Sequence, residues 1–114
     1  MTPRERLELA ETILQDRALP AWERCAALLA RQAIEKAMRR LLARRFAVPE
    51  RAPFRAQFVA LRGAVDPEIA VQAHWTWTAL SRATHYHSYA LPPTAEELER
   101  WLGNVRVLVD ASES

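Results

Sequence analysis

Arg82, His85, Tyr86, His87 and Tyr89 fall within eight residues, in a segment too polar for a core and too aromatic for an ordinary solvent loop. Arginine offers a fixed cation with a fork of donors matched to phosphate oxygens, histidine exchanges a proton near neutral pH, and tyrosine stacks on a base. That set suits a phosphodiester. RNA is cut without a metal when a base takes the 2′-OH proton, an acid protonates the 5′ oxygen and a cation stabilises the charged transition state. One Arg and one His supply half of these groups, and a symmetric dimer would double them. The plainer alternative has Arg82 satisfying carbonyls at a helix C-terminus, His85 and His87 as helix-terminal hydrogen bonders, and Tyr86 and Tyr89 as lids over the core.

Other chemistries find less to work with. His74, His85 and His87 would have to converge with Asp66 or Glu68 to hold a metal, yet the chain has neither a paired-Cys motif nor a His-Glu-x-x-His helix. No metal and no cofactor is therefore expected. His74 stands in an apolar helix beside two Trp residues and reads as a partly buried, satisfied histidine. Gly63 and Gly103 are the only glycines, which excludes a glycine-rich phosphate loop, and no Gly-x-Ser-x-Gly is present to carry a serine nucleophile. Cys25 is the single cysteine and sits on a core stripe, so no internal disulfide forms.

The 114 residues suit one domain, spanning 1–114. Nowhere do 18 consecutive apolar residues occur, and the opening Met-Thr-Pro-Arg-Glu-Arg lacks the apolar run of a signal peptide. A cytoplasmic protein without a membrane span is expected. The net charge of +2 hides an asymmetry: residues 1–62 hold 13 basic and 7 acidic side chains, whereas residues 63–114 hold 3 and 7. Within 36–62 lie Lys36, Arg39, Arg40, Arg44, Arg45, Arg51, Arg55 and Arg62 against the single Glu50. Arg39, Arg40, Arg44 and Arg45 in particular suggest a footprint for RNA, the alternative being a solvated helix face.

The elements that would position these groups are helical. Two glycines, abundant Ala, Leu, Arg and Glu, and no period-two alternation predict an all-α domain, an up-and-down bundle of four to five helices. Thr2, Pro3 and Glu5 open a helix over about 3–17 that buries Leu7, Ala10, Ile13 and Leu14. A long second helix over 20–45 carries a core stripe from Trp22 to Leu42, with Arg31, Glu35 and Arg39 displayed at i,i+4 steps on the opposite side. Phe54, Phe58 and Leu61 mark a shorter third helix, and Asp66-Pro67 starts a fourth whose wide apolar arc includes Val71, Trp75, Trp77 and Leu80. That arc is wide enough to meet more than one neighbour, a second chain included. From Arg82 the pattern reads as a loop or a fraying helix end. Thr94 and Glu97 then cap a last helix to about 110, with Ala-Ser-Glu-Ser expected to be disordered.

Arg82, four residues, His87, one residue and Tyr89 together resemble the signature of the HEPN superfamily, especially its small HepT-like toxins. The helix order agrees, with the motif near the chain end and one helix after it. The resemblance implies a HEPN-like bundle acting as a metal-independent endoribonuclease and a homodimer, with Arg82 and His87 of both subunits facing across a cleft. Arg82 would stabilise the phosphate and His87 would act as general acid or base; beside what the resemblance implies, the neighbouring His85 and Tyr86 are read as auxiliary, with His85 or Thr84 as polar substitutes near Ala83. In toxin members paired with a nucleotidyltransferase antitoxin the motif tyrosine is adenylylated, which makes Tyr89 the regulatory or base-stacking position and an antitoxin an expected partner in a toxin–antitoxin or phage-defence setting. Active members commonly carry Asn, Asp or His directly after the motif Arg, and this chain has Ala83. The alternative is a non-catalytic HEPN-like module for dimerisation or partner binding.

Overall fold

The computed structural model describes residues 1–46, 49, 51–85 and 91–114. Five helices follow in order: α1 (Pro3–Asp16), α2 (Trp22–Arg45), α3 (Phe54–Leu61), α4 (Pro67–Thr84) and α5 (Ala95–Glu113). No strand occurs among the described residues, so the all-α expectation holds.

The caps set the helix starts. Thr2 Oγ1 accepts from the Glu5 N–H at 3.0 Å while the Glu5 carboxylate accepts from the Thr2 N–H at 2.8 Å, and Thr94 with Glu97 repeats the exchange before α5. Asp66 Oδ1 accepts from the Glu68 N–H at 2.9 Å, with Pro67 as the first residue of α4. Each arrangement satisfies amide groups that the first helical turn leaves without a partner. Neither glycine adopts a positive φ; the turn between α1 and α2 instead places Arg17 (φ 54°) and Ala21 (φ 55°) in the left-handed region.

Helix α2 is the axis of the fold and packs against all four of the others. Its Ala26, Ala30, Ala33 and Ala37 are fully buried and bring neighbours close, while Ile34, Met38 and Leu42 fill the space against Leu7, Leu61, Leu80, Leu98 and Leu108. The seam between α1 and α5 is closed at the surface by ion pairs, Arg4 with Asp110 and Glu113, and Glu11 with Arg106. Those pairs run in opposite order along the two helices, so α1 and α5 are antiparallel.

Two local expectations are corrected. The terminal Ala-Ser-Glu-Ser is not loose: α5 continues to Glu113, Ser112 is buried with its hydroxyl donating to the Val109 carbonyl at 2.6 Å, and Glu113 is tied to Arg4. Arg31, Glu35 and Arg39 do not form the solvated side of α2 either. They face α3 and α4 and are only partly exposed, because a helix contacted by four neighbours has little free perimeter.

Candidate functional site at the end of α4

Helix α4 keeps its hydrogen bonding through Thr84, so Arg82 lies inside the last turn, and His85 leaves it with an extended backbone (φ −77°, ψ 127°). Both side chains are exposed. A cation in the last helical turn also complements the carbonyl end of the helix dipole, which favours Arg82 there whatever else it does. Among the described residues no side-chain hydrogen bond or ion pair holds Arg82. Ala83 is half-buried against the hydrophobic core, so this position is used for packing. Tyr86, His87 and Tyr89 lie outside the described residues.

Behind this turn stands a polar network built from residues whose helical spacing alone points to solvent. Arg31 Nη1 donates to Thr84 Oγ1 at 3.1 Å, and the Thr84 hydroxyl donates to the Ser81 carbonyl at 2.8 Å. The Glu35 carboxylate accepts from the Trp77 indole N–H at 2.9 Å and lies 3.6 Å from Arg31 Nε. Ser81 Oγ and Arg31 Nε are buried without a hydrogen-bond partner among the described residues. The i,i+4 spacing of Arg31 and Glu35 was the visible signal; that an indole and a hydroxyl of α4 would meet them was not. Trp77 continues into an aromatic cluster with Phe54 and Phe58, and Phe58 stacks on His74 at 4.4 Å between ring centroids. His74 is thus a packed residue. No group of three or more His, Cys, Asp or Glu able to hold a metal ion occurs among the described residues.

The basic residues divide between roles. The Arg39 guanidinium lies over the Phe54 ring at 5.3 Å, and Arg44 donates to the Ser114 carbonyl at 2.8 Å. Arg40 and Arg45 are exposed, as are Arg51, Arg55 and Arg62. Arg31 is level with Thr84, whereas Arg44 and Arg45 share a cavity with Asp66 and Ile69 at the start of α4. Helices α2 and α4 are therefore antiparallel, and the basic end stands about 20 Å along α2 from the turn that carries Arg82.

The wide apolar arc of α4 is only partly covered. Ala73 and Leu80 are in the core, but Trp75 is 75% exposed and Val71 51% exposed, on the rim of a groove of about 560 Å³ between α4 and α5. Thr76 and Asn104 meet at its floor, with the Asn104 amide donating at 3.1 Å. No helix among the described residues is long and apolar enough to cross a membrane. No family model, no curated protein and no solved structure matches this chain.

Proposed function

We propose that this chain is an RNA-acting HEPN-like domain, a metal-independent endoribonuclease that works as a homodimer in the cytoplasm. The observation that carries the reading is Arg82, an exposed arginine in the last turn of α4 that no described residue engages, placed directly before the His- and Tyr-rich segment. An arginine that no described residue engages keeps its donors, as far as those residues go, for a phosphate. In the proposed reaction a histidine takes the 2′-OH proton and the 2′ oxygen bonds to phosphorus. The bond to the 5′ oxygen breaks as that oxygen is protonated, leaving a 2′,3′-cyclic phosphate. Arg82 stabilises the charge that gathers on the non-bridging oxygens, and His87 exchanges the proton, the second copy supplying the other pair. Tyr89 is the position at which an antitoxin with nucleotidyltransferase chemistry would silence the domain.

The test is a ribonuclease assay on a mixed RNA pool in excess EDTA, comparing the parent with Arg82→Ala, His85→Ala and His87→Ala. Cyclic-phosphate ends that require Arg82 and His87 but survive loss of His85 support the reading. A folded parent protein that cuts nothing overturns it. Ala83 packed on the core and the exposed Trp75 favour a second reading, a non-catalytic module that binds a protein. Under that reading Arg82→Ala leaves cellular phenotypes intact, while charge reversal on the interaction face abolishes them.

A further inference from the structure

The outward side of α4 bears Glu68, Val71, Trp75, Thr78 and Arg82, spaced three, four, three and four residues apart. That spacing is the seam of a helix pair. Glu68 and Arg82, opposite in charge, each stand seven residues from Trp75, one toward either end of the helix. Both are exposed, and neither has an ion-pair partner among the described residues. Thr78 Oγ1 already donates to the His74 carbonyl at 3.0 Å, so covering this threonine leaves no hydroxyl proton unpaired.

We infer that a second copy of this chain seats on this strip, with the two α4 helices antiparallel about a two-fold axis at Trp75. In that pairing Val71 of one protomer is level with Thr78 of its partner, the indoles fill the centre, and each Glu68 meets the Arg82 of the other copy. An isologous interface needs such self-complementarity, and the strip carries it in both charge and apolar content. The groove between α4 and α5 flanks the seam and widens the surface that a partner covers.

The pairing does not rest on RNA cleavage, but it constrains it. Seven residues on either side of the axis separate the two Arg82 positions by about 21 Å, too far to share one phosphate. This dimer is therefore a resting arrangement in which each Arg82 is held by a carboxylate, and it must open before two copies cut across a common cleft. The same residue, Arg82, is switched between a partner's Glu68 and a phosphate.

The experiment is sedimentation equilibrium over micromolar to millimolar protein, on the parent, Trp75→Ala, Glu68→Arg, Arg82→Glu and the double variant Glu68→Arg/Arg82→Glu, each checked for helicity by circular dichroism. The parent should dimerise with a micromolar Kd, as a small interface allows. Trp75→Ala should weaken it by about tenfold or more, since a central aromatic anchor carries most of such an interface. Each single reversal should weaken the dimer, and the double should return to within about threefold of the parent, because swapping both charges recreates the pair. A monomer throughout the range overturns the proposal, as does a dimer indifferent to Trp75→Ala or a double variant no better than the singles. Because no RNA is present, these outcomes are independent of whether the protein cleaves it.

Discussion

Arg31 donates to the Thr84 hydroxyl at 3.1 Å across a separation of 53 residues, so the middle of the longest helix holds the turn from which Arg82 projects. Arg31→Met removes this tie and leaves the mostly buried Glu35 carboxylate with the Trp77 indole alone. A lost hydrogen bond beside an unbalanced charge costs about 1–3 kcal/mol. Urea unfolding should show that loss, and amide exchange in the last turn of α4 should quicken more than in α5. Arg31→Lys, which keeps the charge without the fork, should fall between; a methionine variant as stable as the parent would contradict the role given to Arg31.

That tie also separates what the chain's local patterns convey from what they do not. Local chemistry was legible: Thr2 with Glu5, Asp66 with Pro67, and Thr94 with Glu97 each announced a helix start that the structure bears out. What the spacing of Arg31, Glu35 and Arg39 could not convey is that α2 is surrounded on nearly every side. Charges at i,i+4 look like a solvated face until a neighbouring helix presents an indole N–H and a hydroxyl at matching height. The outward strip of α4 was half legible, because Trp75 and Trp77 look alike in sequence yet one is exposed and the other packs on Phe54 and Phe58. Of the candidate site, the structure places Arg82 and His85, and it separates the basic end of α2 from both.

Gly103 lies exposed within α5, and a Cβ built there meets nothing within 4 Å. Gly103→Ala should therefore stabilise the protein by about 0.5–1 kcal/mol, through reduced freedom of the unfolded chain and better helix propensity. A rise of a few degrees in Tm is the readout. At Gly63 the same Cβ would stand 3.2 Å from Phe46 Cζ, so Gly63→Ala should gain less, the Phe46 ring having to move aside. A Gly103→Ala protein that melts below the parent would reverse the expectation.

Acid should loosen the ends of the bundle first. The hydrogen bonds from Arg4 hold the Glu113 carboxyl below its ordinary value of 4.5, and the Thr2 backbone and hydroxyl do the same for Glu5. A carboxylate with a lowered folded pKa adds stability that is present above its unfolded value and is lost as pH falls through the folded one. Stability should thus decline below pH 4.5, the ordinary value of both carboxyls. The double variant Glu5→Gln/Glu113→Gln keeps one acceptor oxygen at each position and removes the titration, so its Tm, lower than the parent's at neutral pH, should fall less steeply in the acid range. Parallel curves for the two proteins would show that these carboxylates are not responsible.

The basic end of α2 gives the RNA reading a second, length-dependent signature. Arg40 and Arg45 are exposed there, whereas Arg44 is engaged by the Ser114 carbonyl and Arg39 by the Phe54 ring. Single-strand sites commonly span about 4–16 nucleotides, long enough to reach the roughly 20 Å from Arg82 to this end. Removing one arginine that neutralises a phosphate lowers the slope of log K against log salt by about 0.7 for single strands, so Arg40→Ala/Arg45→Ala should lower it by about 1.4. Binding of a labelled oligonucleotide at several salt concentrations measures the slope. A dinucleotide that occupies only the Arg82 end should be bound, and cut, equally by both proteins. If the slope is unchanged with the long strand, these two arginines merely solvate the helix face; if the dinucleotide suffers as much as the long strand, they act on the site itself and not along a track leading to it.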